Sequence, residues 1–343
     1  NMKVADLKTF NKKCKTIVVK CNINYGKGAL IMYDVACVGI LVADAIAKTV
    51  DKLPARGRLD LVDQLDLYTG GCAVNSGIAM AKIGLNVAVL GKIGNDGFGK
   101  FIYNSLKEEK VNVDGLVLDS NSSTSASVVL VDSGGERSFL HCLGANAEFT
   151  DRDVDFSVIG KSKIVFIAGT MLMPNFDGEP CARVLKKSKE MGKYTALDTA
   201  WDSKGRWMKV LEPCMEYIDL FMPSYEEAVQ LSGKEDAEDI ADVFLSMGVK
   251  TAVIKLGKDG CFIKDSGGEK HKIPTYTDVK PVDTTGAGDS FAAGFLTGIT
   301  EGWNLYECGK FANAVGTHCV MAVGASTGIK SMREIKAFMA KYE

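Results

Sequence analysis

From residue 33 onward the chain alternates short apolar runs with longer stretches of helical spacing. The runs Val35–Val42, Val87–Leu90, Ile164–Ala168, Thr195–Asp198, Leu220–Met222 and Ala252–Lys255 are near-continuously apolar, as strands covered on both faces are. Between them, Val74–Ile83, Gly97–Lys107, Pro180–Met191, Tyr225–Leu231 and Ala237–Met247 carry apolar residues at helical spacing. Helices inserted between buried strands predict βαβ units: a three-layer α/β core with a parallel central sheet and helices on both faces. The C-terminal third turns mostly helical and ends in Ser331–Lys341, where Met332, Ile335, Phe338 and Met339 form a stripe that packs on the core.

Two segments, 46–70 and 113–142, break this rhythm with period-two patterns. Leu59 and Leu61 flank Asp60, and Ala126, Val128 and Leu130 alternate with Ser127 and Val129. Asp132-Ser133-Gly134-Gly135 reads as a hairpin turn. Both segments are expected to form antiparallel strands of a small sheet inserted into the core as a lid, with Leu59, Leu61, Ala126, Val128 and Leu130 on one side. The α/β core then spans 33–343, and the basic, weakly patterned residues 1–32 form a loosely attached extension.

Charge adds an exclusion. Lys plus Arg number 41 against 43 Asp plus Glu, so no global field favours nucleic acid or anionic lipid. The longest apolar run, Val35 to Ala43, has nine residues, about half the ~20 that a membrane span needs. The ten cysteines include no Cys-x-x-Cys pair, and the histidines at 141, 271 and 318 are scattered, which argues against a structural zinc site. With no signal peptide apparent, cysteines in apolar stretches such as that around Cys37 are expected to be reduced thiols of a cytoplasmic protein.

The most informative run is Pro281-Val282-Asp283-Thr284-Thr285-Gly286-Ala287-Gly288-Asp289-Ser290-Phe291. Small residues at 286–288 let backbone amides approach an anion, and the helix that follows adds the positive end of its dipole. Asp289 is either a helix cap or a group that does chemistry, because a carboxylate at a phosphate-binding turn otherwise repels its ligand. First-turn amides favour its ionised form, so an ordinary low pKa is expected. A Gly-x4-Gly-Lys-[Ser/Thr] loop is absent: Gly160-Lys161-Ser162 has Asp155 where the first glycine belongs. No Gly-x-Gly-x-x-Gly follows the first strand either, which argues against a dinucleotide fold.

With these residues the sequence resembles the ribokinase-like (PfkB) carbohydrate kinases over essentially 33–340. A second signature supports it: Gly70-Gly71-Cys72-Ala73-Val74-Asn75, continuing through Ala81-Lys82-Ile83-Gly84 to Gly91, Gly94, Asn95, Asp96 and Gly99. The resemblance implies an α/β core with a β-sheet lid, and an ATP-dependent transfer of the γ-phosphate to a primary hydroxyl of a sugar, of the ribokinase, fructokinase or ketodeoxygluconate-kinase type. It implies Asp289 as catalytic base, with Gly286, Ala287 and Gly288 as the anion hole. Asp44, at the end of the first core strand, and Asn75 would bind sugar hydroxyls, which both donate and accept. Gly70 and Gly71 would pass close to the sugar and hinge the lid. Taken singly, Asn75 also suits an ordinary helix end and Asp44 a strand-end turn.

Further roles follow from the same resemblance. Glu227 would order water around Mg²⁺, although Ser224 stands where the family usually has asparagine. Lys255, Gly257 and Gly260 would contact the nucleotide, with Asn313 near the adenine edge. Asp283 and Thr285, with carbonyls around Cys319, Ala322 and Gly324, would hold a monovalent cation such as K⁺. A homodimer joined through the lid is implied by dimeric members. A nucleoside acceptor is the first rival, but the lid offers only Tyr68 and Phe139 as aromatic faces. A phosphosugar would want more than Arg56, Arg58 and Arg137. A catalytically silent sugar-binding regulator would have no need for an intact Gly286–Asp289 run.

Overall fold

The computed structural model describes residues 31–342, so the extension up to residue 30 lies outside the described residues. The chain opens with β1 (Tyr33–Gly39), β2 (Val42–Lys48), β3 (Gln64–Gly70), β4 (Val87–Gly94) and β5 (Asn112–Asp119). It continues with β6 (Ala126–Val131), β7 (Arg137–Cys142), β8 (Ser162–Thr170), β9 (Tyr194–Thr199) and β10 (Leu220–Phe221). The last three are β11 (Thr251–Lys255), β12 (Cys261–Asp265) and β13 (Lys270–Ile273). Nine of them form one sheet in the order β13-β12-β11-β10-β9-β8-β1-β4-β5. It is parallel from β11 to β5, and β12 and β13 extend it antiparallel.

Alternation within the strands explains the layers. Val35, Cys37, Val87, Val89, Ile164 and Phe166 feed one core, beneath helices 72–83, 287–301 and 305–320. Ala36, Val38, Ala88, Leu90, Val165 and Ile167 feed the other, beneath helices 179–190 and 237–246. A sheet buried on both faces must be apolar at every position, so the strands read as continuous apolar runs.

The second sheet runs β3-β2-β6-β7. It departs from the expected lid in three ways. First, the run Val35–Val42 is two elements: β1 stops at Gly39 and β2 starts at Val42, so Asp44 sits inside a lid strand rather than at a core strand's end. Second, residues 112–119 pair with β4 as the edge of the large sheet, and their alternation reflects an edge strand's half-exposure. Third, Leu59 and Leu61 lie in the loop between β2 and β3, 80% and 90% exposed, while Leu65 and Leu67 take the strand positions expected of them. The central pair β2–β6 is also parallel, with only the outer pairs antiparallel.

The base of this sheet is tied down. Only Ile40 and Leu41 separate β1 from β2. The buried Asn146 side chain accepts from the Leu41 N–H at 3.2 Å and donates to its carbonyl at 3.0 Å. Asn146 belongs to the short helix Gly144–Ala147 that directly follows β7, so the lid's first and last strands are pinned together. Among the described residues no helix is long and apolar enough to cross a membrane, and the eight cysteines are free thiols.

Candidate active site

The helix Ala287–Glu301 starts at Gly286, whose φ of 75° is left-handed. A Cβ there would lie 2.5 Å from Ala325 Cβ, so only glycine fits the turn. The Ala287 N–H closes on the Thr284 carbonyl at a long 3.2 Å. A Cβ on Gly288 would lie 3.3 Å from Lys255 Nζ, which places the ammonium directly beneath the turn. Amides, a helix N-terminus and a buried cation thus converge on one spot, an arrangement suited to a transferring phosphoryl group.

Asp289 follows in the first helical turn. Asn75 Nδ2 donates to Asp289 Oδ2 at 2.8 Å, and the Ser76 hydroxyl donates to the Asp289 backbone carbonyl at 3.1 Å. Both partners come from helix Cys72–Ile83, which begins just past the Gly70-Gly71 pair. Burial pushes the Asp289 carboxyl up, against the pull of Asn75, Lys255 and the Cys72 thiol. The expectation of an ordinary low value is therefore corrected: desolvation outweighs the first-turn amides.

Sequence reasoning missed Asp198, at the C-terminal end of β9. Its two oxygens take Lys255 Nζ at 2.8 and 2.7 Å. Glu227 Oε2 accepts from the Thr199 hydroxyl and from the Ser224 N–H, each at 3.0 Å. One buried ammonium therefore meets the fields of three carboxylates. Burial works to lower Lys255, but Asp198, Glu227 and Asp289 raise it, so it stays charged. Burial, with the charges of Glu227 and Asp289 beside it, pushes Asp198 up to about 7 against the pull of Lys255. The available signal was a carboxylate at the C-terminal end of a parallel strand, where open α/β sheets bind ligands. Ser224 accepts from the Glu227 N–H in a capping box, which gives the serine a structural task of its own.

On the lid, cross-strand pairing aligns Tyr68, Asp44, Ser127 and His141 in one row. Ser127 Oγ and His141 Nδ1 are 3.1 Å apart. A Cβ on Gly70 would fall 2.1 Å from Asp44 Oδ2, so the carboxylate rests on the Gly70 backbone. Burial raises the Asp44 carboxyl, opposed by Ser127 and His141. Gly71 has φ 88°, and a Cβ there would meet the Ile40 carbonyl at 2.5 Å.

The remaining expected residues separate. Gly257 faces open space in the turn after β11, whereas Gly260 packs so closely on the Ile273 carbonyl that its place is structural. Asn313, expected near the adenine edge, has its amide engaged within the protein. It is buried in helix Leu305–Val320 and donates to the Ile273 and Pro274 carbonyls at 3.1 and 3.2 Å. Asp283 accepts from the Thr285 N–H at 2.8 Å and the Gly324 N–H at 2.9 Å. Arg137, from β7 of the lid, pairs with Asp283 at 2.9 Å and donates to the Thr285 hydroxyl.

A mostly parallel α/β sheet, a separate small sheet and a carboxylate beside a glycine-rich helix N-terminus suit a phosphotransferase acting on an alcohol group. A family model described as pfkB family carbohydrate kinase matches residues 32–332, and the chain belongs to that family. It is 29% identical over 316 residues to a probable chloroplastic fructokinase of Arabidopsis thaliana, covering 85% of this chain and 80% of that one. It is 27% identical over 322 residues to a 5-dehydro-2-deoxygluconokinase of Clostridium perfringens, covering 90% and 93%. The fold matches Arabidopsis thaliana ribokinase complexed with ribose and ATP at a TM-score of 0.79 and 25% identity, over 90% of this chain and 99% of that one. The architecture is therefore ribokinase-like, and the chain is a sugar or nucleoside kinase.

Proposed function

We propose that the chain transfers the γ-phosphate of ATP to a primary hydroxyl of an uncharged sugar. The observation that carries this reading is the Asn75–Asp289 bond, which joins the lid-hinge helix to the first turn of the anion-hole helix. The Asp289 carboxylate accepts the proton of the hydroxymethyl group as its oxygen bonds to the γ-phosphorus. The bond to the β–γ bridging oxygen breaks, and ADP leaves with the electron pair. Charge on the moving phosphoryl group meets the Gly286–Gly288 turn and Lys255.

The acceptor side is the row Tyr68, Asp44, Ser127 and His141, with Asn75 beside it. A sugar acid or phosphosugar would face Asp44 and Asp289 together, so the pair favours a neutral polyol. Mg²⁺ would supply charge neutralisation to the ATP phosphates. Among the described residues no cluster of three or more carboxylate, histidine or cysteine side chains could hold a metal. Glu227 and Asp198 would hold such an ion through its retained waters. A nucleoside acceptor is the second reading, favoured by Phe139, which is 61% exposed on the Asp44 face of the lid.

The opposite face carries Leu65, Leu67, Val128 and Leu140, all exposed. We further propose that two lids pair through this face in a cytoplasmic homodimer, which removes an apolar surface that a monomer would leave in water. The decisive assay measures ADP release across pentoses, hexoses, sugar acids, phosphosugars and nucleosides. A neutral sugar is expected to give the highest kcat/KM, and phosphorylation of none of them would defeat the proposal.

A further inference from the structure

Asp283 lies three residues ahead of the anion-hole glycine, and its side chain is only 1% exposed. Its carboxylate binds Thr285 within the anion-hole loop and Gly324 in the loop after helix Leu305–Val320, so it clasps the two loops together. The Val282 and Asp283 N–H groups reinforce the clasp by donating to the Val320 carbonyl at 2.7 and 3.2 Å. A carboxylate this deep requires a cation, since an unpaired buried charge is strongly unfavourable.

That cation comes from the lid. Arg137 sits at the start of β7, an edge strand of the small sheet, and its guanidinium spans Asp283 and Thr285. The other edge strand, β3, reaches the same place: a Cβ on Gly324 would lie 3.2 Å from the Tyr68 ring. Burial pushes the Asp283 carboxyl up, yet Arg137 with the Gly324 and Thr285 amides holds it at about 2. The acceptor row lies on the same sheet, so the position of that sheet decides both whether the acceptor is covered and whether the clasp has its counter-charge.

We propose that Arg137 is a positioning residue that serves as the built-in cation of the anion-hole clasp, delivered by the lid when it comes down. The hole then takes its working shape only with the lid down, and ATP is not presented to water while the lid is up. A charge supplied by the chain also removes any need for a free monovalent cation at Asp283. This inference rests on the kinase reading for its catalytic consequence, but not for the coupling itself.

The test uses the full chain with Arg137→Ala and Arg137→Lys. Hydrogen exchange without ligands should show faster exchange at 284–290 in Arg137→Ala, reversed by tens of millimolar guanidinium. In the acceptor assay Arg137→Ala should lose about 10- to 100-fold in kcat. Guanidinium should restore part of that loss, and Arg137→Lys should fall between. Wild type should respond equally to Na⁺, K⁺ and Tris at constant ionic strength, and Arg137→Ala should prefer a metal cation to Tris. Asp283→Asn should lose activity without rescue by guanidinium, which separates a missing cation from a disrupted fold. Unchanged exchange at 284–290 in Arg137→Ala overturns the proposal, as does a K⁺ requirement that wild type and variant share. A wild type that phosphorylates no acceptor removes the kinase reading alone, and the exchange result still decides the coupling.

Discussion

On the floor of the cleft, helix Ala287–Glu301 buries every residue from Ser290 to Ile299, whereas across the cleft the lid leaves Leu65, Phe139 and Leu140 between 61% and 69% exposed. The floor spends its apolar surface on rigidity. Several of its polar groups are tied to neighbours, as the Asn75, Lys255 and Glu227 bonds show, while Asn75 Oδ1 stays unpartnered. The lid leaves several of its large apolar residues exposed, and touches the floor through groups that include Arg137 and Tyr68. Preorganised charge belongs where bonds are made, and loose packing where a substrate must pass.

The sharpest break of this comparison is on the floor. Asp289→Asn should lower kcat by about two to four orders of magnitude with sugar and ATP affinities little changed. Retention of a tenth of wild-type kcat would take the base role from Asp289. Next, Asn75→Ala should cost about tenfold in kcat/KM. It also removes a bond that favours the ionised Asp289. Because the raised carboxyl must be deprotonated to act, the acid limb of the pH–rate profile should already lie above the ordinary carboxylate range. The Ala variant should move it higher still, and an unmoved limb would make Asn75 a sugar contact only.

On the lid the expected effects are smaller. Val128→Asp should shift the mass from twice the chain mass toward monomer in light scattering, and raise the sugar KM by about threefold to tenfold. A wild-type monomer with full activity would sink the lid-paired dimer. The least effect concerns acid. Asp283 is held near 2 in the folded chain, below its unfolded value. Its contribution is therefore complete above about pH 4 and lost as the pH falls toward 2, amounting to about 2 kcal/mol. Urea unfolding of wild type and Asp283→Asn should converge over that window, and parallel curves would contradict the clasp.

Much of the floor was legible because its signals are local. The apolar runs named β1, β4, β8, β9 and β11, and the Gly286–Asp289 run announced both an anion and a carboxylate. What stayed hidden depends on partners far along the chain. Arg137 reads as one lid charge among several until Thr285, 148 residues away, is brought beside it. Asp198 carries no motif and gains meaning only against Lys255, 57 residues on. The lid's first strand was invisible because Ile40 and Leu41 continue the apolar run of β1 past the single small residue Gly39. The hairpin β12–β13 escaped because Lys264, Lys270 and Lys272 interrupt its apolar positions at an exposed edge.

Asn146 ties the entry and exit of the lid to a single point at Leu41. With those two junctions held together, any swing of the sheet must be taken up where β3 runs through Gly70-Gly71 into helix Cys72–Ile83 and where β5 passes into β6. Under the proposed function, acceptor and product then pass one after the other through the opening that this swing makes, and the motion of a four-stranded sheet through solvent enters the pace of the cycle beside the chemistry.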